Sequence, residues 1–420
     1  MTAHCEVGVS SRRIPGLADR LYADLTAPAR IRTVSRQPFK RDSGVLGDAF
    51  TAFSMFHSTA EERWLRLAED HIDRLESAVY DQRVDRVGLS NGLTGLLLLL
   101  DTGDDRMTQR RRLVEVLERR VEALADNIIM KVRGDSGMDR RDYSYATGLA
   151  GVAHRFLVAG RNERLAQRIA DLFADLSGRP FPYGFWTPPC LLGDRVLERE
   201  PELSFGARDL GFGMGLAGVV STLREAATVF GGGRYLHAAG RLVDEIRIDI
   251  DQHHGRGVSS YQVAPLAGEQ PAASAPSTPT WSTGLPGVES AVADSPWLMQ
   301  KLYPGLHCGE EYLDPMVGDF LRPGVCNGLA GRLYLADLVG LPDDPRWDVS
   351  LEKMLRGYVD SVVSHDPGFW EGYGGASVVW LSRHCPKGYA PTLAVLGAHN
   401  SRQWNSEGVG GLPGQVRRIR

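Results

Sequence analysis

Two kinds of apolar pattern alternate along the chain. The first is a nearly continuous apolar run opened by a pentapeptide of the form polar-Gly-X-X-Gly. Its copies are Ser43-Gly-Val-Leu-Gly47, Asn91-Gly-Leu-Thr-Gly95, Thr147-Gly-Leu-Ala-Gly151, Met214-Gly-Leu-Ala-Gly218, Thr283-Gly-Leu-Pro-Gly287, Asn327-Gly-Leu-Ala-Gly331 and Glu371-Gly-Tyr-Gly-Gly375. The first glycines stand at 44, 92, 148, 215, 284, 328 and 372, which are 44 to 69 residues apart. One helical hairpin with its connections fits that period. The second pattern is amphipathic: in 60–79, Trp64, Leu65, Leu67, Ala68, Ile72 and Leu75 recur at helical spacing opposite Glu and Arg. Segments 107–128, 162–176, 235–248 and 349–363 repeat it.

Helices apolar on every side belong inside, and helices charged on one side belong half outside. Their alternation predicts an all-α protein built as a two-layer ring, an α/α toroid of about seven inner and seven outer helices. Glycines at the inner-helix starts let backbones converge closely. They are also expected to leave helix-start N–H groups free to point at a ligand in the centre. Residues 1–40 read as a partly disordered lead-in with one short helix near 17–25, and 41–399 as a single domain. Irregular insertions near 181–208 and 253–280 break the rhythm, the second reading as a mobile surface excursion. Residues 400–420 read as a tail.

Composition narrows the setting. The hydrophobic content of 43% suits a large buried core, and the net charge of −4 gives no footing for nucleic acid or an anionic membrane. No secretion signal is evident at the start, and the apolar run 96–100 is too short to span a bilayer. Five scattered cysteines without a CxxC pair point to free thiols and a cytoplasmic location.

Trp281-Ser-Thr-Gly-Leu-Pro-Gly287 and Cys326-Asn-Gly-Leu-Ala-Gly331, set among the seven starts, resemble the lanthionine synthetase C-like family over roughly residues 40–385. That resemblance implies an α/α toroid. It also implies chemistry on a ribosomally made precursor peptide, in which zinc activates a cysteine thiol for addition to a dehydroamino acid. A thiol is mostly protonated at neutral pH, and zinc delivers it as thiolate.

The family's zinc ligands are a cysteine in the Trp-Cys-X-Gly-X-Pro-Gly motif and a Cys-His pair. This chain has Ser282, Cys326 and Asn327 at those positions, so no cofactor is expected, zinc included. Met214 stands where the family carries a proton-transfer histidine, and Ser144 where it carries an aspartate, with Asp142 two residues away. His307-Cys308 and His384-Cys385 offer alternative ligand pairs, but neither sits at an inner-helix start.

The catalytic candidates are therefore Cys326, Asn327, Ser282, Asp142 and Glu371. Tyr143, Tyr145, Met214, Trp281, Arg322 and Trp370 are candidates for lining a peptide cleft, with Arg322 and Arg332 placed to orient a substrate carboxylate or an enolate.

Three functions remain open. One is the zinc-less role found in linaridin biosynthesis, dehydration or epimerisation of a peptide alongside a membrane protein. It is slightly preferred, because Ser282, Asn327 and Met214 depart from the family together. The others are zinc-independent thioether cyclisation, in which orientation supplies much of the rate, and a non-catalytic leader-peptide-binding or scaffold subunit. Any membrane association is expected to come through a partner.

Overall fold

A computed structural model describes residues 14–28, 30, 38–39, 44–81, 84–102, 110–133, 137–179, 184–252, 261–263, 280–303, 322–339, 345–361, 365–384, 393 and 396. The principal helices are α1 (Leu17–Thr26), α2 (Val45–Thr59), α3 (Glu62–Tyr80), α4 (Leu93–Thr102), α5 (Arg111–Arg133), α6 (Leu149–Ala159) and α7 (Glu163–Leu176). They continue as α8 (Leu216–Phe230), α9 (Gly233–Gln252), α10 (Leu285–Val292), α11 (Pro296–Leu302), α12 (Leu329–Val339), α13 (Pro345–Asp360) and α14 (Tyr373–Arg383).

The glycine-led helices α2, α4, α6, α8, α10, α12 and α14 each pack on the next, and α14 packs back on α2. The inner ring is closed. Each of α3, α5, α7, α9, α11 and α13 packs outside it, as the charged-face pattern predicts.

The seventh outer place belongs to α1. Its Tyr22 ring meets Trp64 of α3 edge-on at 5.2 Å, while Asp24 accepts from the Tyr358 hydroxyl of α13 at 2.6 Å. Arg20 donates to the Ser361 carbonyl at 2.7 Å. A helix read as part of a lead-in therefore completes the outer ring, and Leu17, Leu21 and Leu25 are buried there.

Two further departures have local causes. The apolar run opened by Thr283-Gly-Leu-Pro-Gly287 is divided between two helices, because the Ser295 side chain caps a new start at Leu298 N and Pro296 occupies its first turn. The insertions meet each other: Ala207–Asp209 (β1) pairs antiparallel with Tyr261–Val263 (β2), a two-stranded ribbon where the sequence read only loops. The rest of 253–279, Cys308, Cys385 and the tail 400–420 lie outside the described residues.

Candidate functional site

The site is built from the loops that enter the inner helices, and these share one geometry. Three residues before the first glycine of each motif from the second to the seventh stands a buried side chain: Leu89, Tyr145, Phe212, Trp281, Val325 and Phe369. They converge on the ring axis, with centroid separations of 4.8 Å for Tyr145–Phe212 and 5.4 Å for Phe212–Trp281. The second glycine of each motif makes this possible. A Cβ on Gly95, Gly151, Gly218, Gly287, Gly331 or Gly375 would lie 1.9 to 2.4 Å from the carbonyl oxygen of that same convergent residue.

One residue further on, the loops form a hydrogen-bonded belt. Ser90 N donates to Ala146 O, Ala146 N to Gly213 O, Gly213 N to Ser282 O, Ser282 N to Cys326 O and Cys326 N to Trp370 O, all at 2.8 to 3.1 Å. Ser282, Cys326 and Trp370 thus hold equivalent places, with their backbones fixed on both sides or one.

The helix-start N–H groups, expected to be free for a ligand, are already used. Leu93, Thr94 and Gly95 donate to the carbonyls of Arg86, Val87 and Gly88, and Leu329 and Ala330 to those of Arg322 and Pro323. Each loop curls over its own helix and caps it.

The residues directly before the first glycines, Asn91, Thr147, Met214, Thr283, Asn327 and Glu371, are all half-buried and form the open face. A polar chain crosses three of these loops. The Thr283 and Thr280 hydroxyls lie 3.1 Å apart, and Thr280 Oγ1 donates to Asn327 Oδ1 at 3.4 Å. Asn327 Nδ2 donates to Glu371 Oε1 at 2.8 Å, and Arg322 Nη1 lies 3.8 Å from Glu371 Oε2. Asn327 and Glu371, separate candidates in the sequence, are joined here, with Arg322 beside them.

The three positions where the resemblance expects zinc ligands supply one hydroxyl, one thiol and one amide. Both polar atoms of the amide are engaged by Thr280 and Glu371. Ser282 turns its hydroxyl toward the fourth loop, where a Cβ on Gly213 would lie 2.5 Å from its Oγ. Cys326 is buried. This donor set does not fit a tetrahedral zinc site, and no group of three His, Cys, Asp or Glu side chains is placed to hold a metal among the described residues.

The other candidates separate. Asp142 faces the outer layer, its Oδ2 2.6 Å from Lys131 Nζ of α5. Ser144 holds a turn, with its hydroxyl 2.8 Å from that of Thr147 and accepting from Thr147 N. Tyr143 is buried against Phe185 at 5.2 Å, away from the axis. Tyr145, Trp281 and Trp370 are buried as well, so they form a packed floor rather than an open wall. Met214 and Arg322 stay on the open face. Arg332 turns away from it, its guanidinium over the Trp347 ring of α13 at 4.5 Å.

Asp209 escaped sequence reasoning. It is buried, its Oδ1 accepts from Gly211 N at 2.9 Å, and Arg140 Nη1 is 3.7 Å from its Oδ2. Burial pushes its carboxyl up to about 6. A signal existed: Asp209-Leu-Gly211 and Asp366-Pro-Gly368 sit at one offset from their motifs, and Asp366 Oδ1 accepts from Gly368 N at the same 2.9 Å.

The family description "Lanthionine synthetase C-like protein" matches residues 37–389. No curated protein sequence matches the chain. Among solved structures, one titled nisin cyclase is similar in fold, with a TM-score of 0.69 at 16% identity, covering 91% of this chain and 98% of that one. No helix among the described residues is long and apolar enough to cross a membrane.

Proposed function

The chain belongs to the lanthionine synthetase C-like family, and from that premise we propose that it modifies a ribosomally made precursor peptide without zinc. The proposed reaction is of the linaridin type, dehydration or epimerisation, carried out in the cytoplasm beside a membrane-protein partner. The observation that supports this reading is the Thr280–Asn327–Glu371 chain, which engages both polar atoms of Asn327, the residue standing at one of the positions where the resemblance expects a zinc ligand. Cys326, the one thiol left there, is buried under that face.

Both reactions begin by removing a proton next to a carbonyl. Glu371 is the base in this reading. Its carboxylate is half-buried at the open face, with Asn327 fixing Oε1 and leaving Oε2 toward Arg322. Taking the α-proton leaves an enolate, which the exposed Arg322 guanidinium steadies. In dehydration the enolate expels the β-hydroxyl, which takes the proton from Glu371 and leaves as water. In epimerisation a water molecule protonates the opposite face of the enolate, and the hydroxide it leaves takes the proton from Glu371.

The test is mass spectrometry of a Thr-rich precursor incubated with the full chain in deuterated buffer, with and without the membrane partner. Loss of water or deuterium at α-carbons, abolished by Glu371→Gln, supports the reading. Loss of peptide thiols after prior dehydration would instead identify a zinc-independent cyclase, with the same carboxylate taking the thiol proton. Peptide binding with no change in mass would identify a leader-binding subunit.

A further inference from the structure

The belt ties neighbouring loops together, but among the described residues it reaches the seventh loop from one side only, at the Trp370 carbonyl. That loop carries Glu371, and its other side packs on α2, where the ring closes: the Phe369 ring lies 5.6 Å from that of Phe50. Asp366 holds both ends of the loop. Its Oδ1 accepts from Gly368 N and its carbonyl accepts from Tyr373 N, each at 2.9 Å. A Cβ on Gly372 would lie 2.2 Å from that carbonyl oxygen, so Glu371 rides on a segment wrapped closely around Asp366.

Asp366 is itself held by Arg30, a residue of the lead-in beyond the end of α1. Arg30 Nη1 donates to Asp366 Oδ1 at 3.3 Å, while its Nε and Nη2 donate to the two carboxylate oxygens of Asp48 on α2, at 3.1 and 2.5 Å. The Asp48 side chain is 1% exposed and that of Arg30 13%, so water competes little for this pair. Burial pushes the Asp48 carboxyl up to about 6 against the pull of Arg30, which leaves the pair ionic at pH 7. The other titratable groups facing the pair are Arg74 and His71 of α3, and burial with the two arginine charges pushes His71 down to about 3, so it is neutral. One planar guanidinium therefore spans two carboxylates on different elements, which a fork of donors can do and a point charge cannot. The fourth loop repeats the pattern, since Arg140 reaches Asp209, the counterpart of Asp366 six residues before its first glycine.

We propose that Arg30 is a positioning residue for Glu371: by joining Asp366 to Asp48 across the ring closure, it fixes how the carboxylate of the seventh loop meets the substrate α-carbon. The inference rests on the reading of Glu371 as the base. Arg30 touches no reacting atom and acts through the loop alone. It gives the lead-in a part in the reaction that its position in the sequence does not suggest.

The experiment uses the full chain with Arg30→Lys, which keeps a positive charge beside Asp48 but cannot hold both carboxylates. Hydrogen exchange at the Gly368 and Tyr373 amides is expected to quicken about three- to tenfold. Exchange at Ser282 N, in the same belt but away from the tether, should stay as it was. On the Thr-rich precursor, kcat is expected to fall at least about fivefold, with KM moved less than about twofold. Glu371→Gln, measured alongside, separates the two assignments. Unchanged exchange in the folded variant would overturn the proposal, as would quicker exchange with kcat intact while Glu371→Gln abolishes modification. Quicker exchange in a chain that never modifies the precursor, or whose Glu371→Gln form stays active, would uphold the tether and overturn Glu371 as the base. If Arg30→Lys does not fold, Arg30→Gln with Asp48→Asn leaves no unpaired buried charge at the pair, and the same readouts decide.

Discussion

Asn327→Ala breaks the polar chain at its centre. The bond to Glu371 is short and charge-assisted, 2.8 Å, and such bonds contribute about 1.5 to 3 kcal/mol net. Because both groups reach the open face, the lower end applies, about 1.5 kcal/mol. The contact from Thr280 is long at 3.4 Å and adds about 0.5 kcal/mol. Asn327→Ala should therefore cost about 2 kcal/mol. Glu371→Ala should cost about 1.5 kcal/mol, since Arg322 is two-thirds exposed and its ion pair contributes little. The double variant should cost about 2 kcal/mol rather than the sum, a coupling of about 1.5 kcal/mol. Urea unfolding at pH 7, followed by tryptophan fluorescence, measures all three. Coupling below about 0.5 kcal/mol would mean that the two side chains act independently, and the bridging role assigned to Asn327 would be refuted.

Other expectations follow from the same geometry. Gly331→Ala places a Cβ 1.9 Å from the Val325 carbonyl and should cost more than about 3 kcal/mol, whereas Gly357→Ala on α13 meets nothing within 4 Å and should be neutral or stabilising by up to about 1 kcal/mol. Equal unfolding midpoints for the two would refute the close-approach argument. Leu21→Ala on α1 should cost about 2 to 4 kcal/mol in urea unfolding, because the residue is fully buried where the outer ring closes; a loss under about 1 kcal/mol would mean that α1 is not part of the ring. Asp209, with its carboxyl raised to about 6 by burial, binds a proton more tightly when folded than unfolded. Its contribution is present below about pH 4 and is lost as pH rises through 6. Asp209→Asn keeps an acceptor for Gly211 N, so its stability relative to the unaltered chain should rise by about 2.4 kcal/mol from pH 4 to pH 7. A pH-independent difference would remove the buried charge from the account.

The ring was legible because its signal repeats. Seven glycine pairs and two kinds of apolar run specify inner and outer helices without any long-range contact being known. The role of α1 was not legible, since nothing in Leu17–Thr26 says that it packs beside a helix more than 300 residues later. The break at Ser295-Pro296 was readable from cap chemistry, but a continuous apolar run hid it. At the site, the residue types of Ser282 and Asn327, where the resemblance expects zinc ligands, could be read directly. What Asn327 does instead could not, because its partners Thr280 and Glu371 belong to other loops and meet it only when the ring closes. The same holds for Tyr145 and Trp281: aromatic residues before a helix start look like a cleft wall in sequence, and convergence of several loops turns them into a floor.

The most direct test of a zinc-free site is metal analysis of the purified full chain, followed by calorimetric titration with zinc and assay of precursor modification in a chelating buffer. The account predicts zinc well below one equivalent, no saturable binding at the Ser282–Cys326–Asn327 position, and modification unaffected by the chelator. One tightly held zinc per chain, lost together with activity in Cys326→Ala, would contradict it.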